Sequence, residues 1–103
     1  MSWHHLLLIC LIGFACGESQ PRSRLLSDSQ TELASLSLRS DCQRAEFTCT
    51  RCHTLARILV AEAHARSEWE PVVAKMRLMT ASGITKNDAD SVLRCLDFRG
   101  TAR

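Results

Sequence analysis

The sequence has no tyrosine, three Phe and two Trp in 103 residues, and no marked excess of either charge. Each shortage removes a class of protein. A formal charge of +2 leaves no basic footprint for a dedicated nucleic-acid binder. The longest apolar run, residues 6 to 16, is far short of the ~20 residues that a spanning helix needs. No stretch alternates polar and apolar residues in the manner of a strand, which points to an all-α chain. The length allows one small domain and excludes a multi-domain enzyme. Cysteine, by contrast, is plentiful, with six residues in so short a chain. A core of this size usually needs help from disulfides, a metal or a cofactor.

The apolar run L-L-L-I-C-L-I-G-F-A-C gives way to polar sequence at Gly17, so residues 1–17 read as an export signal, with His4 and His5 in place of the usual basic front end. Two endings fit. Ala15 and Gly17 supply the small residues of an ordinary cleavage site, whereas I-G-F-A-C resembles a loose lipobox that would leave Cys16 as a lipidated first residue and attach the chain to a membrane. Either ending puts the mature domain outside the cytoplasm, where disulfides persist. Residues 18–40 are rich in Ser, Gln and Arg and read as a linker, with a possible short helix opened by the Ser27-x-x-Gln30 capping box.

From residue 41 to about 100 the pattern is helical, and the spacing predicts three helices. Ser40 is positioned to cap the first, whose apolar stripe runs Cys52, Leu55, Ala56, Leu59, Ala63. Pro71 suits the first turn of a second helix carrying Val72, Val73, Met76 and Met79, with Gly83 as its stop. Thr85-x-x-Asp88 caps a third, whose face is Ala89, Val92, Leu93 and Leu96.

Cys49 to His53 reads C-T-R-C-H, a complete C-x-x-C-H. This is the attachment signature of haem c. Two thiols three residues apart on a helical turn can face the same way and join the two vinyl groups of one porphyrin, and the following imidazole is then offered to the iron. A disulfide half, a redox dithiol or half of a zinc site are the plainer readings of C-x-x-C. A redox pair prefers a strand–helix setting, and no second C-x-x-C or H-x-x-x-H follows to complete a zinc set.

From Phe47 to Leu96 the chain resembles the c-type cytochrome family, in particular short bacterial domains that read C-x-x-C-H, then Trp, then V-V-x-x-M, then a last helix. The matching residues are Cys49, Cys52, His53, Trp69, Val72, Val73, Met76 and the closing I-T-K-N-D-A-D-S-V-L-R-C-L. The resemblance implies a small three-helix domain around one covalent haem c, with Cys49 and Cys52 holding the porphyrin and His53 on the iron. It implies a thioether as the second axial ligand, from Met76, which matches V-V-x-x-M, or from Met79, ten residues before Ala89. The family's G-P-x-L loop is absent. Trp69 and Phe47 are the aromatic residues available to cover the ring. His64 stands eleven residues beyond His53, about 16 Å along a continuous helix, and so would not reach the opposite haem face.

With Cys49 and Cys52 given to haem, Cys42 and Cys95 remain as an even pair. In the family the first and last helices cross where a small residue meets an aromatic one, and Cys95 stands at the aromatic position with Cys42 near the small one. The resemblance thus implies a Cys42–Cys95 disulfide, the alternative being two buried thiols. The function expected is one-electron transfer in the periplasm, with transient redox protein partners and no substrate chemistry of its own. Arg51, and Lys75 or Arg77, would supply positive charge near the haem edge, although a generally solvated charged surface accounts for them equally well. Two rivals stand beside it: an exported non-haem binding or signalling module held by two disulfides among Cys42, Cys49, Cys52 and Cys95, and a haem protein with an open sixth site acting as a sensor or weak peroxidase.

Overall fold

The computed structural model describes residues 20–102, so the export signal and Cys16 lie outside the described residues. Within them the chain forms five helices and no strand: α1 Asp28–Leu33, α2 Leu36–Cys49, α3 Ala56–Leu59, α4 Arg66–Leu78 and α5 Lys86–Thr101. The all-α reading stands, with two short helices added to three longer ones.

The central pairing is α2 against α5. Cys42 and Cys95 are joined, with their sulfurs 2.07 Å apart, and both residues are fully buried. Beside them Arg94 donates from Nε and Nη2 to the two carboxylate oxygens of Asp41, each at 2.9 Å, and Ser91 donates to the same carboxylate at 3.0 Å. Arg94 holds the Asp41 carboxyl below the usual carboxylate range. Farther along, Arg44 and Arg51 both approach Asp88. Partners on α5 fall in number as those on α2 rise, so the two helices are antiparallel.

Everything else is laid along α5. After α2 the chain returns toward the far end of α5, where Arg99 Nη2 donates to the Leu59 carbonyl at 3.4 Å and Asp97 accepts from the Arg66 amide at 3.0 Å. The α4 helix then runs back, and Arg77 Nε reaches the Ile84 carbonyl at 3.3 Å. Trp69 and Val73 of α4 join Ala45, Cys49, Val92 and Leu96 in one core.

Several boundaries differ from the sequence reading. The segment read as a linker is part of the fold. Leu25 and Leu26 are buried, Arg99 Nε donates to the Leu25 carbonyl, and Gln30 Nε2 donates to the carbonyls of Arg99 and Ala102 at the end of α5. The α2 helix starts at Leu36, because the Ser35 hydroxyl, not that of Ser40, accepts the Leu38 amide at 3.2 Å. The expected stripe from Cys52 to Ala63 is not one helix. The chain leaves helix after Cys49, Leu55 and Ile58 are its buried residues, and Leu59 is exposed.

The α4 helix starts at Arg66 and carries Pro71 in its second turn. The Glu68 carboxylate accepts the Ala65 amide at 2.9 Å and the His64 amide, which fixes the earlier start. Proline there forfeits one helical hydrogen bond on an exposed face. The third start is at Thr85 as read: its hydroxyl accepts the Asp88 amide while Asp88 accepts the Thr85 amide, both at 3.1 Å.

Two outcomes follow for stability. Replacing Cys42 and Cys95 together by Ser reopens a loop of 53 residues and should cost about 4 kcal/mol in urea unfolding. At Gly100, an added Cβ would lie 1.7 Å from the His64 carbonyl oxygen, a backbone atom with nowhere to retreat. Gly100→Ala should therefore destabilise by about 2 kcal/mol despite alanine's better helix propensity; an unchanged melting midpoint would refute this packing.

Candidate functional site at one end of the helical pair

The antiparallel pairing gives α5 two distinct ends. At its N-terminal end the C-x-x-C-H segment leaves α2. The Arg51 guanidinium is 3.9 Å from the Asp88 carboxylate, 5.8 Å from the Phe47 ring centroid, and beside Gly83. The α4 helix finishes at the same end, as the Arg77–Ile84 bond requires, and brings Met76 and Met79 with it. Cys49, Cys52, His53, Met76 and Met79 are thus gathered at one end of the bundle although the sequence separates the two groups by more than twenty residues.

The two thiols differ in setting. Cys49 closes α2 and is only 5% exposed, within the core. Burial pushes its thiol up to about 11, against a smaller opposing effect of Arg51. Cys52 lies in the turn after the helix and is exposed. Neither is joined to another cysteine, and among the described residues the one disulfide is Cys42–Cys95. Among the described residues, no three His, Cys, Asp or Glu side chains gather as a metal site.

The turn itself is set by threonines. Thr50 gives both its amide (3.0 Å) and its hydroxyl (2.6 Å) to the Glu46 carbonyl, and such local side-chain bonding competes with continuation of the helix. Thr48 is buried beneath. Neither residue stood out in the sequence; a hydroxyl residue four positions after Glu46 was the available signal. His53 is half-buried, with Nδ1 3.1 Å from the Thr54 carbonyl. A carbonyl can only accept, so Nδ1 carries the proton and the neutral ring keeps its lone pair on Nε2. Iron-binding and zinc-binding histidines are commonly oriented in this way.

Met76 is half-buried against the core that holds Cys49, and Met79 caps α4 at 57% exposure. Of the two aromatic candidates, Trp69 belongs to the core and Phe47 is 70% exposed. His64 lies at the opposite end of α5, against Gly100. The twelve-residue step from Asp88 to Gly100 spans about 18 Å of helix. The continuous helix that was to separate His64 from His53 does not exist, and the separation comes instead from the chain's return along α5.

No protein-family model, curated protein or solved structure matches this chain. Among the described residues no helix is long and apolar enough to cross a membrane.

Asp88 links this end of the fold together. The Thr85 amide is the largest cause of its lowered carboxyl pKa, with Arg44 and Arg51 adding to it. The stabilisation is present in full above the ordinary carboxylate range and fades as the pH falls through the lowered folded value. Asp88→Ala should cost about 0.5–1 kcal/mol at neutral pH, and the gap in melting temperature from the parent should shrink below about pH 4. A pH-independent gap would show that the carboxylate charge is not the cause.

Proposed function

We propose that the protein is a one-electron carrier with a single haem c, attached through Cys49 and Cys52, ligated by His53, and completed by a thioether from Met76 or Met79. The observation that supports it most is the gathering of C-x-x-C-H and both methionines at one end of a disulfide-closed helical pair. The donor set suits the group. His53 Nε2 is free to bind, Cys52 is open, and the soft sulfur of a methionine favours Fe(II). When bound, haem c would supply an iron that alternates between Fe(III) and Fe(II).

The protein's own part is to attach and orient. His53 is aimed by the Thr54 carbonyl, Arg44 and Arg51 offer positive charge to the carboxylates of a porphyrin, and Phe47 offers an exposed aromatic face beside them. Of the two thioethers Met76 is put first, since it packs on the core that holds Cys49. The export reading of residues 1–17 puts this chemistry in the periplasm, free or lipid-attached through Cys16, with transient docking to redox proteins.

Coexpression with haem-maturation machinery should give a pyridine haemochrome spectrum of covalent haem c, lost in the Cys49→Ala, Cys52→Ala double variant. Absence of covalent haem in the parent would remove this reading. In the oxidised form, the weak far-red band of a methionine–iron bond should vanish in Met76→Ala and persist in Met79→Ala. The reverse pattern would transfer the ligand to Met79, and a band indifferent to both would favour the open-site rival.

A further inference from the structure

We infer that the two thiols of the C-x-x-C-H segment react in a fixed order, Cys52 first, and Cys49 only after the last turn of α2 has opened. The ligand in this inference is the haem of the proposed function; the asymmetry itself belongs to the polypeptide.

The two sulfurs are three residues apart in sequence but in opposite settings. Cys52 is exposed in a turn, whereas Cys49 is 5% exposed and packed in the core with Ala45 and Val92. An electrophilic carbon must touch the sulfur to bond with it, and a buried sulfur cannot be touched until its cover moves. Cys49 is itself the last residue of α2, so it leaves the core when that turn frays; the turn is held by the two Thr50 bonds to the Glu46 carbonyl, with Thr48 buried in it. Helix ends lie at the low-stability limit of local opening.

The opening has a built-in stop. Seven residues before Cys49, the Cys42–Cys95 bridge fixes α2 to α5, and the Asp41–Arg94 pair lies beside it. The helix can fray from Glu46 onward while its first two turns stay in place. Each attachment is an addition: the S–H adds across the C=C of a vinyl substituent, with sulfur bonding to one carbon and hydrogen to the other. The S–H and one component of the double bond are broken, and no electrons are gained or lost overall. Joining at Cys52 would tether the group three residues from Cys49, whose own reaction would still wait for the turn to open.

The test begins with the full chain, folded and free of haem, its Cys42–Cys95 bridge intact. Iodoacetamide labelling, read by peptide mass spectrometry, should modify Cys52 at the rate of an open thiol and Cys49 about a hundredfold more slowly or less. The gap should narrow in denaturant before global unfolding. Equal rates in native buffer would overturn the inference. Ferrous haem is then offered to the single-thiol variants, with thioether formation read by the haemochrome band. Cys49→Ala should join haem in native buffer and Cys52→Ala only in mild denaturant. If both join equally in native buffer, the order is wrong and the haem reading stands. If no variant and not the parent joins haem while the labelling gap persists, the haem reading falls and the order of thiol reactivity remains.

Discussion

The covalent join between α2 and α5 is the constraint on which the other placements depend. With Cys42 and Cys95 both buried and bonded, the register of the two helices is fixed where they cross. Beside that crossing Asp41 accepts from both Arg94 and Ser91, so its carboxylate is partnered where the helices meet. Given this register, the C-terminal end of α2 must lie beside the N-terminal end of α5. The return segment must then travel the length of α5, and α4 must come back along it. A chain this short, with little aromatic surface to bury, obtains from one bridge what a larger core would supply through area.

The same register separates two kinds of work. The far end of α5 is structural: Arg99 reaches the Leu25 and Leu59 carbonyls, Gln30 closes the helix terminus, and Gly100 lets the His64 backbone come close. The near end carries the reactive groups, the thiols, the imidazole and the thioethers, together with the arginines that share Asp88. His64 is excluded from that chemistry by position, since it belongs to the far end.

Much of this was legible in the residues, and the failures have physical causes. The Thr85-x-x-Asp88 box and the buried face Ala89, Val92, Leu93, Leu96 follow from local rules, because a strong cap and a regular stripe act on the same helix. The break after Cys49 was hidden, since Cys52, Leu55, Ala56, Leu59 and Ala63 keep helical spacing while the chain does not. What decides there is non-local: Leu59 and Arg66 are claimed by Arg99 and Asp97, which a continuous helix could not reach. The segment 18–40 misled in the other direction. Its polar composition suggests a linker, yet two leucines at 25 and 26 and one glutamine at 30 suffice to tie it down once the end of α5 is there to receive them. At the site, the motif named the chemistry but not the unequal exposure of its two thiols, which depends on where α2 ends.

That inequality follows from the architecture. To serve as the last core residue of α2, Cys49 must point into the core; the chain then leaves the helix, and Cys52 lies exposed in the turn that follows. A longer α2 would put both sulfurs on one helical face and would also carry His53 away from the Thr54 carbonyl that orients it. A shorter one would free Cys49 but surrender its packing in a core that has few large side chains to spare. Ending the helix at Cys49, with the bridge two turns behind, keeps the packing of the folded state and confines the motion needed for chemistry to a single turn. The bridge is therefore more than a stabiliser of a small domain: it sets how far the helix can open at the end where the reactive sulfurs lie.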